Sequence, residues 1–278
     1  MKGVSMVSPI NQSKKVKNYS VDGFKWKLRK LITFHILVNA LLMLLYLYYY
    51  FEKGSIRFSL ILMVLFCTSI FLVFCQKTYS TFTKVVEENM DISIAKQSVE
   101  YRWPKYSRWI EKVAICRQID LLRINFLLGD FREAYEYIST VNKKRYRIDL
   151  NFKWFTDYLF YDYLTRVHLG DNPNVSEYIE MLSSIKMNHK NKKLYITRHI
   201  DFMKAINLII VEKQPVDNMG ELLVANNLDR LMFNYYAALN HLNQDQPEEA
   251  KTCFQEIVNE NSELFYVKEA KKYLEELD

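Results

Sequence analysis

The sequence predicts an all-α protein, a transmembrane helical hairpin followed by an α-helical repeat array. Three observations predict it. Two uncharged apolar runs lie close together in the first quarter of the chain. Helix breakers are scarce, and beyond residue 77 the apolar residues recur at helical spacing around short turns. The 278 residues include only 6 Gly and 5 Pro, against 20 Tyr and 17 Phe. So few breakers disfavour a loop-rich sheet enzyme and favour long helices. The many aromatics exclude general disorder.

Residues 1–30 form a basic arm, with eight Lys and Arg against one Asp. Leu31 to Phe51 then runs 21 residues without Lys, Arg, Asp or Glu. A helix of that length spans a hydrocarbon layer of about 30 Å, so 31–51 is expected to be a first crossing. The run closes on Tyr48, Tyr49, Tyr50 and Phe51, as rings do where a bilayer meets water. A signal peptide would have a shorter apolar region and a small-residue cleavage site, and none follows. Residues 52–57 are expected to be a short external loop, and Phe58 to Cys75, 18 residues long, a second crossing. Lys25, Lys27, Arg29 and Lys30 crowd the start of the first run. The positive-inside bias then places both termini in the cytoplasm, giving a cell-membrane protein with two crossings. Neither run holds an acidic residue, and two helices enclose too little for a transport path.

Residues 76–104 read as a juxtamembrane helix or linker, helical over Thr78–Val99 and redirected at Pro104, which lacks an N–H and restricts its predecessor. Residues 105–278 read as a cytoplasmic helical-repeat domain of four helix-turn-helix segments. Their turns fall near Gly129, Gly170, Lys213 and Asp245, at separations of 41, 43 and 32 residues. Each pair carries an apolar stripe that it cannot hide alone, so neighbouring pairs must stack.

The first and last segments resemble tetratricopeptide repeats. In LLGDFREAYEYISTV the matching residues are Gly129, Ala134, Ile138 and Val141. In NQDQPEEAKTCFQEIV they are Ala250, Phe254 and Ile257, with Ala238 in the preceding helix. A small residue early in the second helix lets two helices cross closely, and larger ones fill the seam. The closing proline is missing, Leu122 stands where a small residue belongs, and Val175 replaces alanine in the second segment. The resemblance implies a superhelix whose first helices line a concave face that receives a peptide or helix. On that pattern Ile119, Arg123 and Phe126, with Tyr235, Leu239 and Leu242, are candidate protein-binding groove residues. Another helical-hairpin stack or an irregular bundle fits the same stripes, and the helix SELFYVKEAKKYLEEL could fill the concave surface itself.

The sequence offers no chemistry of its own. It has no phosphate-cradling glycine loop, no H-E-x-x-H among its five His, no G-x-S-x-G elbow and no C-x-x-C among its four Cys. No catalytic, cofactor-binding or metal-ligating residue is therefore expected, and no cofactor is implied. The sharpest basic cluster is KMNHKNKKLYITR. Its Lys186, Lys190, Lys192 and Lys193 are candidate contacts to anionic lipid or to an acidic protein segment, a solvated loop being the plainer reading. Residues 200–278 hold 7 basic side chains against 15 acidic ones. Such a distribution is not a uniform nucleic-acid surface, and nucleic acid is not an expected partner. The expected role is a membrane-anchored scaffold or regulator that binds a protein partner. The alternative is an accessory or immunity-type subunit whose hairpin contacts a transporter or toxin, and an enzyme with an unrecognised site comes third.

Overall fold

A computed structural model describes residues 85–102, 111–139, 152–185 and 190–277, with scattered positions between 30 and 48. The chain divides into a unit of residues 1–89 and a unit of residues 90–278. In the first unit, the described positions between Lys30 and Tyr48 are helical, and Val85–Asn89 forms one π-helical turn. Phe34, Leu37, Leu41, Leu44, Leu45 and Tyr48 are all exposed. Their three- and four-residue spacing puts them on one stripe of a helix.

Crossing a bilayer takes about 20 consecutive apolar helical residues. Among the described residues, no helix is long and apolar enough to cross a membrane. Helices of the second unit reach 17 or 18 residues, but charges interrupt them at nearly every turn, as in EKVAICRQIDLLRINFLL. That finding corrects the expected transmembrane hairpin. The two-crossing topology, the bilayer as a partner, the membrane-anchored scaffold and the hairpin-contacting accessory subunit fall with it. Most of 31–51, and all of 52–57 and 58–75, lie outside the described residues, as does the arm 1–30 apart from Lys30.

The expected helix over Thr78–Val99 is broken. Met90 takes a left-handed conformation (φ 53°) after the π-helical turn, and α1 restarts at Ile92–Arg102. The Asp91 carboxylate accepts from the Ile94 backbone N–H at 3.0 Å, so the restart is capped.

The second unit is all-α. After α1 come α2 (Glu111–Leu128), α3 (Phe131–Ser139), α4 (Phe152–His168), α5 (Val175–Ser183) and α6 (Lys190–Ile206), then α7 (Asn227–Asn243), α8 (Pro247–Gln255) and α9 (Phe265–Leu277). Local chemistry sets the boundaries. Gly129 and Gly170, at φ 88° and 85°, end α2 and α4, and the following N–H reaches back to Asn125 O and Arg166 O. Asn174 caps α5 and Asn226 caps α7, while Pro247 opens α8 ahead of Glu248 and Glu249. Each short return helix buries two residues four apart: Ala134 and Ile138 in α3, Tyr178 and Leu182 in α5, Ala250 and Phe254 in α8.

Helix α4 is the centre. It is buried from Phe155 to Thr165 and packs against α2, α3, α5 and α6. Helix α7 packs on α8 and α9, and α9 returns to α2. There Phe265 meets Phe131 edge-on at 4.9 Å, and Lys268 Nζ donates to Leu128 O at 3.1 Å. A Cβ on Gly129 would sit 3.2 Å from the Phe265 ring, so this turn needs glycine for its conformation and for the approach of α9.

The third segment departs from a repeat. Helix α6 runs into a π-helical turn at Asn207–Val211, Lys213 adopts φ 53°, and one 3₁₀ turn at Met219–Glu221 precedes α7. No return helix forms there. Side chains of α7 serve the irregular backbone instead. Asn240 accepts from Val216 N at 2.7 Å and donates to Val216 O at 3.0 Å, and Asn243 donates to Ile209 O at 2.9 Å. The tetratricopeptide-like superhelix is thus corrected to a helix-packed domain without a clear repeat motif, closed by α9 on α2.

Ala134 and Ala250 still sit at wholly buried seams, α3 on α2 and α8 on α7. Ala134→Leu or Ala250→Leu should overpack these seams and cost about 1 to 3 kcal/mol. A fall in melting temperature of the full chain for each variant checks this. Unchanged melts for both would mean that the seams are loose.

Candidate functional site

The expected groove residues do not line an open groove. Ile119, Phe126 and Tyr235 are buried at 2%, 0% and 3% exposure, and Arg123, Leu239 and Leu242 are half-buried. Phe126 lies against Phe131, Tyr161, His168 and Tyr266 at 5.4–6.2 Å between ring centroids. Tyr235 meets Tyr266 at 5.1 Å and Phe265 at 5.8 Å. The rings of α9 cover Phe126 and Tyr235, which were expected to face a partner.

His168, the last residue of α4, is the hub of this aromatic cluster. It stacks on Phe131 at 4.9 Å, meets Phe265 edge-on at 5.0 Å, and places Nε2 2.9 Å from the Tyr236 hydroxyl. Burial among the rings pushes its pKa down to about 4. A second polar cluster ties α4 to α5. Wholly buried Asp162 accepts from Arg166 Nε at 2.6 Å and from the Tyr178 hydroxyl at 3.1 Å, and Arg166 lies over the Tyr135 ring. Burial holds the Tyr178 hydroxyl well above its usual range, with the Asp162 charge adding to it. Both clusters lock helices together.

The basic cluster lies differently. Lys190, Lys192 and Lys193 occupy the first turn of α6, Lys190 and Lys193 exposed and Lys192 half-buried; Lys186 lies outside the described residues. Cations there oppose the helix dipole, and no acidic residue shares the turn. Helix stability therefore does not explain them. For the exposed Lys190 and Lys193, a local rule broken without gain to the helix points toward a functional role.

The fold adds what the sequence reading left out, the start of α4. Phe152 meets Tyr195 of α6 edge-on at 6.1 Å. Lys192 Nζ lies 5.1 Å from the Phe152 ring, and Lys153 Nζ lies 5.6 Å from the Tyr195 ring. Arg198 lies 5.2 Å from that same ring while pairing with Asp229 at 2.7 Å. Leu194, 51% exposed, is the large apolar side chain on this stretch of α6. Tyr195 is held from below. Its hydroxyl donates to the buried Asp157 carboxylate, and His199 Nδ1 lies 2.7 Å from its carbonyl oxygen. Cations near ring faces gain about 0.5–1 kcal/mol each where exposed, so these side chains are presented rather than left to wander.

The only sequence signal for Phe152 and Lys153 was their place at the start of an aromatic run. Nothing there showed that α6 would lie alongside. The arrangement can hold a negatively charged ligand with some apolar surface. Among the described residues, no group of three or more His, Cys, Asp or Glu could hold a metal ion. Cys253 is half-buried, and burial pushes its thiol up to about 11, away from nucleophilic use.

No protein-family model, curated protein or solved structure matches the chain. The resemblance to tetratricopeptide repeats therefore gains no support from any family, and the face must be interpreted from its own geometry.

Proposed function

We propose that the helical domain is a protein-binding module, without catalysis of its own, that takes an acidic segment of a partner on the basic, aromatic face of α4 and α6. The observation that carries this reading is the ordered placement of Lys153, Lys192 and Arg198 over Tyr195 and Phe152. The three cations stand on rings at one end of two packed helices, with Lys190 and Lys193 alongside. A carboxylate-rich segment with an aliphatic side chain would pair with Lys190, Lys192 and Lys193 and cover Leu194 and the ring edges. Such mixed aromatic and cationic surfaces are where interface energy concentrates.

The test uses the full chain and a labelled peptide of alternating Glu and Leu, followed by fluorescence anisotropy. Lys192→Glu/Lys193→Glu should weaken binding about tenfold, the equivalent of about 1.4 kcal/mol. Raising the salt should weaken wild-type binding and narrow the gap between the two proteins, since exposed charges are screened. Helicity should not change. Equal affinity of the two proteins at low salt would remove the proposal.

A further inference from the structure

The partner chemistry that this face accepts is present elsewhere on the chain. Helix α9 ends in YLEEL, with Glu275 and Glu276 exposed and Leu274 and Leu277 half-exposed beside them. No basic residue lies in its last turn. The helix dipole adds negative potential at a C-terminus. Phe265 at the start of α9 meets His168 at the end of α4, whereas the basic face lies at the start of α4, so one copy can present that face and the last turn of α9 at once.

We infer that the acidic end of α9 in one copy docks on the Lys192–Tyr195 face of a second copy, so that the chain associates head to tail. This rests on the proposed acidic-segment reading of that face and names its occupant. The charge pattern supports the pairing: Lys190, Lys192 and Lys193 in one first turn oppose Glu275 and Glu276 in one last turn, and Leu194 opposes Leu274 or Leu277. Opposite charges arranged this way steer association and fix its register. The two surfaces differ, so the contact is heterologous and adds copies until the ends are capped.

Sedimentation velocity of the full chain tests it. At about 50 mM salt the wild type should associate with rising concentration, and at about 500 mM the association should weaken at least tenfold. Lys192→Glu/Lys193→Glu and Glu275→Lys/Glu276→Lys should each lose it when alone. Mixed in equal amounts, they should associate again, because the acidic end of one meets the basic face of the other and the two reversed surfaces are themselves complementary. Association that survives both double substitutions, or a mixture that stays monomeric, overturns the inference. If the wild type stays monomeric while the Glu-Leu peptide still binds through Lys192 and Lys193, only the self-docking is lost. If the peptide fails as well, the reading of the face falls with it.

Discussion

Replacing Asp162 with alanine should destabilise the domain by about 3 to 5 kcal/mol. The carboxylate has no solvent exposure and serves two donors, Arg166 Nε at 2.6 Å and the Tyr178 hydroxyl at 3.1 Å. Removing it takes an acceptor from a buried hydroxyl and an anion from the guanidinium, which keeps Asp171 at 4.0 Å. The loss comes mainly from these abandoned partners rather than from the pair's net worth. A variant that also removes them, Asp162→Leu/Arg166→Met/Tyr178→Phe, should therefore recover much of the stability. Urea unfolding of the wild type, the single variant and the triple variant would show it. A triple variant less stable than Asp162→Ala would mean that the polar cluster contributes strongly in its own right.

The second large effect is acid sensitivity at His168. Its folded pKa of about 4 lies below the ordinary 6.5, so the fold holds it neutral. The unfolded chain takes up a proton that the folded chain refuses once the pH drops below 6.5. The stability is fully present above pH 6.5 and is lost as pH falls from 6.5 to about 4. The total loss is about 3 kcal/mol, and about 2 kcal/mol of it comes before pH 5, where most carboxylates have not yet titrated. The groups facing His168 are the Tyr236 hydroxyl and the rings of Phe126, Phe131 and Phe265, with no carboxylate among them to hold a proton on the imidazole. His168→Gln should be less stable at pH 7.5 yet lose less between pH 6.5 and 5. Parallel pH profiles for the two proteins in that window would refute the assignment.

Much of the helical plan could be read locally. Gly129 and Gly170 stop helices because glycine adopts the left-handed conformation without steric cost. Asn174, Asn226 and Pro247 start them because each serves or removes an orphan N–H. Ala134–Ile138 and Ala250–Phe254 show their buried faces at i and i+4. The failures have equally specific causes. The third segment looked like a helical pair, but after α6 Asn240 and Asn243 supply its backbone with hydrogen bonds that a helix would otherwise provide. The groove assignment failed because a surface stripe and a core stripe have the same period. Phe126 and Tyr235 are apolar neighbours in either case, and only the return of α9 decides that they are covered.

The sequence by itself determined an all-α body, the turns that divide it, and the Lys190–Lys193 cluster. Each depends on residues within a few positions of one another, whose preferences act through the local backbone. The tertiary structure decided the closure of α9 on α2 and the depressed histidine among the rings. It also brought Phe152 and Lys153 beside Tyr195, 43 and 42 residues away along the chain. Those features depend on which helices meet, and burial acts on surface area without direction, so no local pattern names the partner.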